Sequence, residues 1–182
     1  MSIPTPIIEE FIPTPEKISR FKEIYLEAFP PEERRPWGAL EILLASGGGI
    51  FHPFAIMNGD EMIGLITVWQ LEEMNYIEHF AISPIMRGNG VGTAALLALM
   101  EKMPGNYLLE AEPRECGEIA RRRINFYSRL GFMPREDFSY MQPPYAEGLP
   151  EVPLTLMTTG NIDPERARDL LWKVVYRKKA VN

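Results

Sequence analysis

Apolar and polar positions alternate with a period of two over residues 76–82, and from residue 93 the spacing changes to that of a helix. The alternation predicts a half-buried strand with Tyr76, Glu78, Phe80 and Ile82 on one face and His79 on the other. Ser83 and Pro84 end the pairing, because proline has no N–H to donate. Leu96, Leu97 and Met100 give the following helix, residues 93–100, its core spacing. Between strand and helix stands Arg87-Gly88-Asn89-Gly90-Val91-Gly92, with three glycines in five positions.

The same reading extends along the chain. Residues 3–12 predict a first strand, closed by Pro13 and Pro15. Thr14 is a helix cap with Pro15 behind it, and Ile18, Phe21, Ile24, Tyr25 and Phe29 give helical spacing up to Pro30-Pro31. A second helix covers residues 39–45 and stops at Gly47 to Gly49. Residues 50–57 and 61–71 are two strands around Asn58-Gly59-Asp60, a strong hairpin signal, and a turn at 72–75 leads into the strand at 76. Three antiparallel strands therefore precede the glycine loop. Beyond it come a strand at 106–111, a helix at 118–130 stopped by Gly131, and strands at 132–141 and 152–159. A last helix starts at Asp163, Pro164 and Glu165, with Arg177, Lys178 and Lys179 at its negative dipole end.

Composition narrows the function classes. The chain has 182 residues, enough for one domain with one sizeable core. A net charge of −6 disfavours a nucleic-acid partner. A single cysteine, Cys116, forms no internal disulfide, and the first ten residues lack a basic, apolar export pattern. Together these predict a cytoplasmic chain without a membrane partner. Two distant histidines and one cysteine predict no metal site.

Strand, glycine turn and helix N-terminus make a phosphate-binding arrangement, since close backbone and unpaired N–H groups can face an anion. The dinucleotide fingerprint fits Gly88 and Gly90 but meets Thr93 where its third glycine belongs, and no Gly-Lys pair supports a P-loop. Arg/Gln-x-x-Gly-x-Gly/Ala is met by Arg87, Gly90 and Gly92. In this the chain resembles the GNAT superfamily of acyl-CoA-dependent N-acyltransferases. Phe126-Tyr127-x-x-x-Gly131-Phe132 is similar to that family's second motif. The element order also matches, over residues 3–159, although the specific motifs are confined to 76–132.

The resemblance implies an α/β fold, with a mixed, mostly antiparallel central sheet flanked by helices. It implies one domain over residues 1–182, with an additional C-terminal helix at 163–179. It implies acetyl-CoA as co-substrate, no metal, and acetyl transfer to a primary amine of a small molecule or peptide. The rival is a non-catalytic acyl-CoA-binding module of the same fold, and monomer and homodimer stay open.

For the residues it implies that Arg87, Gly88, Asn89, Gly90, Val91, Gly92 and Thr93 wrap the pyrophosphate. Backbone of Phe80, Ala81 and Ile82 would pair with the pantetheine arm. Tyr127 would protonate the departing thiolate, and Glu78 would be general base, as a half-buried carboxylate with a raised pKa. Family members often carry Asn seven residues before this tyrosine, where this chain has Ala120, so that role is not carried over. Arg121 to Arg123 reads as a solvated basic face, with the phosphates as the alternative. The acceptor would enter between Glu32, Glu33, Arg34 and Arg35 on one side and Tyr140, Gln142 and Tyr145 on the other.

Overall fold

The computed structural model describes residues 6–72 and 74–178. Residues 3–5 of the expected first strand, Glu73 of the expected turn and Lys179 of the expected last helix lie outside them.

Strand β1 is Ile7–Glu10 and helix α1 is Pro15–Ala28. The Thr14 side chain accepts a bond from the Lys17 N–H, a cap worth about 1 kcal/mol. A 3₁₀ turn, Pro31–Glu33, leads to α2, Trp37–Ser46. The hairpin is β2, Phe51–Asn58, and β3, Glu61–Leu71, followed by β4, Met74–Ile82. Helix α3 is Val91–Lys102, β5 is Tyr107–Ala111 and α4 is Glu118–Ser128. Gly131, at φ 89°, takes the left-handed turn that follows α4. Then come β6, Met133–Pro134, β7, Tyr140–Gln142, β8, Val152–Thr158, and α5, Pro164–Leu170.

The strands form one sheet in the order β1-β2-β3-β4-β5-β8-β6, with β7 also on β8. Every pairing is antiparallel except β4 with β5. The sheet has a core on each face. One packs Phe21, Tyr25, Leu40 and Leu44 of α1 and α2, with Leu171 and Val175, against Trp69, Tyr76 and Ala81. The other packs Leu96, Leu99, Ile124 and Tyr127 of α3 and α4 against Ile66, Val68 and Ile77.

Three expectations need correction. The strand expected over 132–141 is two short strands at opposite ends of β8, because residues 135–138 fold into a turn in which the Phe138 N–H reaches the Arg135 carbonyl. The last helix does not run as α-helix to its basic end. It widens into a π turn, Leu171–Val175, with the Tyr176 N–H on the Leu171 carbonyl at 3.0 Å, and Arg177 is left-handed at φ 50°.

The third correction concerns β4. Thr67 pairs with His79 but Val68 pairs with Ile77, so Glu78 is an extra residue opposite no partner, a β-bulge. The bulge resets the alternation. Tyr76, His79 and Ala81 face the α1 side, whereas Phe80 and Ile82 face the α3 side. Phe80 and Ile82 therefore do not share a face with Tyr76, and His79 is not opposite Glu78.

Candidate active site

The parallel pairing of β4 with β5 covers only Asn75–Tyr107, Tyr76–Leu108 and Ile77–Leu109. Beyond Ile77 the strands part. Glu110 and Ala111 of β5 continue on β8, at Leu156 and Thr155, while β4 continues on β3 alone. The edge of β4 that faces β5 thereby has no strand partner over residues 78–82, an edge that an extended ligand can pair with, although the Ile82 carbonyl takes a bond from Arg87. A cleft of about 910 Å³ fills this fork. Its walls include Glu78, Phe80, Ala81 and Ile82 of β4, Glu110 and Glu112 from β5 and just beyond, and Tyr127 of α4.

One end of the cleft is the glycine loop. Arg87, Gly88, Gly90, Gly92 and Thr93 line it, whereas Asn89 is exposed and Val91, the first residue of α3, is buried in the core. Gly88 and Gly90 have φ of 81° and 76°, which a side chain would strain. Gly90 caps α3 without a side-chain bond, so the first N–H groups of the helix point out of its end. A Cβ on Gly92 would make ordinary contact, 3.4 Å from the Phe126 ring and 3.5 Å from the Phe80 ring, so α3 packs against the cleft wall here without requiring a glycine. Arg87 donates from Nε to the Ile82 carbonyl at 2.9 Å, tying the loop back to β4. Arg122, Arg123 and Arg129 also line the cleft. The basic run is thus partly cleft wall, although Arg122 pairs with Glu118 and Arg123 with Glu112. These residues fit a phosphorylated co-substrate.

Tyr127 is 8% exposed and lines the cleft beside Phe126 and Phe132. Burial pushes its phenol up to about 12, against the pull of Arg123. It therefore stays protonated at neutral pH, as a proton donor must.

Glu78 differs from its expectation. Its side chain is 0% exposed although the residue as a whole is half-buried, so what it shows the cleft is bulge backbone. The carboxylate accepts from Arg35 Nε at 2.7 Å, Trp69 Nε1 at 2.7 Å and the Tyr145 hydroxyl at 3.1 Å. Burial alone would raise its pKa, but Arg35, His79 and these donors together hold it below the usual carboxylate range. The raised pKa expected of a base is not found there. His79 is packed between Tyr25 and Phe29, with Nδ1 at 3.2 Å from Thr67 Oγ1. Burial lowers its pKa to about 4, so it is neutral at pH 7.

The acceptor-side candidates separate. Glu33, Gln142 and Tyr145 line the cleft. Tyr140 does not; it is buried with its hydroxyl on the Glu110 carboxylate. Glu32 contributes a carbonyl to Gln142 Nε2 at 3.1 Å, and its side chain is not part of the cleft wall. Arg34 satisfies the Leu26 and Phe29 carbonyls at the end of α1. Arg35 is committed to Glu78 and to the Val175 carbonyl at 2.8 Å.

Glu110 and Tyr176 were missed in the sequence. Glu110 lines the cleft and accepts from the hydroxyls of Tyr76 at 2.5 Å and Tyr176 at 2.6 Å, and from Tyr140. No salt bridge to it is found among the described residues. Burial raises its carboxyl above the usual range, the three phenols pull it down, and the charge of Glu78 pushes it up again. The available signal was a lone carboxylate in an otherwise apolar strand, Tyr107-Leu108-Leu109-Glu110-Ala111. Tyr176 had no signal, because the π turn that aims it is not legible in the helical pattern.

Among the described residues there is no cluster of three or more metal-ligating side chains, and no helix is long and apolar enough to cross a membrane.

Known proteins place this geometry. The sequence model of the acetyltransferase (GNAT) family matches residues 18–132. A solved GNAT-family chain from Bacteroides thetaiotaomicron is 37% identical, with TM-score 0.85, covering 95% of this chain and 99% of that one. Two further structures share the fold at 14% identity. One is a GNAT acetyltransferase from Elizabethkingia anophelis with acetyl-CoA bound, with TM-score 0.58 over 87% of this chain and 99% of that one. The other is the ribosomal-protein-S18-alanine N-acetyltransferase of Escherichia coli, with TM-score 0.60 over 88% and 97%. No curated protein matches the sequence. The chain belongs to the GNAT acetyltransferase family and is an acetyl-CoA-dependent acyltransferase.

Proposed function

We propose that this acyltransferase moves the acetyl group of acetyl-CoA directly onto a primary amine of a small molecule or peptide, without a covalent enzyme intermediate. The observation that carries the reading is the fork between β4 and β5. There one cleft brings together an open strand edge, a carboxyl with no cationic partner found, Glu110, and a protonated phenol, Tyr127.

Bound acetyl-CoA supplies an activated acyl carbon and a thiolate leaving group. The chain does the rest. Arg87 and the backbone of Gly88 to Thr93 hold the phosphates, and the free edge at Phe80 to Ile82 aligns the acyl arm and offers an N–H to its carbonyl oxygen. Positioning of this kind contributes up to about 7–11 kcal/mol. Glu33 at the cleft wall favours a cationic acceptor.

Glu110 is better placed as base than Glu78, whose carboxylate is closed off by Arg35 and Trp69. The ammonium gives one proton to Glu110. The amine nitrogen then bonds to the acyl carbon as the C–S bond breaks. Tyr127 gives its proton to the sulfur and recovers one from the nitrogen. The sum is one amide, one free thiol and one proton held on Glu110. Glu110→Gln keeps the shape and removes the base. Turnover should fall about 10²–10⁴-fold with acetyl-CoA affinity unchanged. A parental pH–rate profile in that variant, with chemistry rate-limiting, would remove Glu110 from the reaction.

A further inference from the structure

The two carboxylates, Glu78 and Glu110, are joined through phenols. Tyr145 OH lies 3.1 Å from Glu78 Oε1 and 3.4 Å from Tyr176 OH. Tyr176 OH lies 2.6 Å from Glu110 Oε2 and 3.2 Å from Tyr76 OH. The chain Glu78–Tyr145–Tyr176–Glu110 thus crosses the fork from β4 to β5. Of its two hydroxyls, that of Tyr176 comes from the C-terminal segment that follows β8. The same segment offers the Val175 carbonyl to Arg35, the partner of Glu78. Leu171 and Val175 are buried beneath it, so the hydroxyl is held by packing as well as by its bonds. The π turn ending at Val175 directs Tyr176 inward.

We propose that Tyr176 is a positioning residue of the acceptor site, whose hydroxyl couples Glu110 to Glu78 through Tyr145, so that the C-terminal helix is part of the catalytic unit. This rests on the reading that Glu110 takes the proton of the amine. The groups that face Tyr176 are Glu110 on β5, Tyr76 on β4, Tyr140 on β7, Tyr145 in the loop before β8, and Arg35 ahead of α2, with Glu78 on the far side of Tyr145. Tyr145 has one proton and two acceptors, Glu78 Oε1 and Tyr176 oxygen. A change at either end of the chain therefore reaches the other.

Tyr176→Phe removes the hydroxyl and keeps the ring. Glu110 loses a donor to its charged form, so its titration midpoint should rise by about one to two pH units, the worth of one hydrogen bond to a charged group. The Tyr145 proton then belongs wholly to Glu78, so the Glu78 midpoint should fall. The readout is carboxyl carbon NMR of glutamate-labelled, ligand-free protein across pH. It needs no turnover, so it is independent of whether an amine is ever acetylated. Tyr145→Phe breaks the chain at its other joint, and there both midpoints should rise.

A role in docking the helix alone predicts a lower melting temperature with Glu78 unmoved in Tyr176→Phe. That result, or unmoved carboxyls in both variants, overturns the proposal. If Tyr176→Phe does not fold, Tyr145→Phe decides: a rise at Glu110 sustains the coupling, and an unchanged Glu110 refutes it. With a working acceptor, the acidic limb of kcat/KM in Tyr176→Phe should move to higher pH with Glu110. Opposed carboxyl shifts without any acetyl transfer would leave the coupling standing and remove the proposed activity instead.

Discussion

At the scale of single residues the site divides two carboxylates by their partners. Glu78 has a guanidinium, an indole and a phenol, so it stays charged. Glu110 has phenols alone, so it gains and loses a proton more readily. Glu78→Gln tests this division twice. It leaves the Arg35 side chain, 14% exposed, without its counter-charge, which should cost up to about 3–5 kcal/mol in a urea melt. It also removes the charge that pushes Glu110 up, so the acidic limb of kcat/KM should move to lower pH. An unmoved limb would mean that Glu78 does not act on Glu110. Tyr127→Phe should lower turnover about 10²–10⁴-fold while the Michaelis constant for the amine and the affinity for acetyl-CoA hold. Parental turnover with chemistry rate-limiting would show that the phenol is not the acid. The place of Tyr127 on the cleft wall was legible because its motif is local, Phe126 to Phe132. Glu110 was not, because its meaning lies in hydroxyls from β4, β7 and the C-terminal segment, 30 to 66 positions away.

At the scale of elements, the strand–turn–helix order around the glycine loop was legible because the three are adjacent in sequence and each has its own residue signature. The bulge in β4 was not. A period of two continues across residue 78 in the sequence, and only the pairing of Val68 with Ile77 and Thr67 with His79 shows that one residue is left over. That one residue decides which side chains enter the cleft and leaves Glu78 showing it backbone. The split of the strand at 132–141 escaped for a related reason, since two short pairings on one long β8 look continuous in composition. The loop carries its own prediction. Gly90→Asp places a side chain and a negative charge where φ is 76° and phosphate is to bind. Coenzyme A affinity should fall well over tenfold in calorimetry while the circular dichroism spectrum is retained. Unchanged affinity in the folded variant would move the phosphate site off this loop.

At the scale of the molecule, a sheet that forks between β4 and β5 makes the site, and helices on both faces hold the fork open. The α3 and α4 side brings the phosphate loop and Tyr127. The α1 and α2 side, with the C-terminal segment, brings Arg35, Tyr145 and Tyr176 to the carboxylates. Binding across the fork should raise the melting temperature with coenzyme A more than with NAD or ATP, and equal stabilisation by NAD would count against the cleft assignment. The buried His79 adds a pH term. It is neutral in the fold, with a pKa of about 4 against 6.5 unfolded, so between these values the unfolded chain binds more protons. Its contribution, about 3 kcal/mol, is present above pH 6.5 and is lost as pH falls towards 4. His79→Gln should flatten that part of the stability profile, and an unaltered slope would show that other groups set it.

The central claim is direct acetyl transfer to a primary amine in the β4–β5 cleft. The measurement that tests it most directly is free-thiol release from acetyl-CoA across a panel of small amines and peptide N-termini, with the N-acetyl product quantified by mass spectrometry. The account predicts that at least one amine gives thiol and N-acetyl product in equal amounts, with both lost together in Gly90→Asp and strongly reduced in Glu110→Gln. Thiol release no greater with any amine than without, from protein shown to bind coenzyme A, would contradict it.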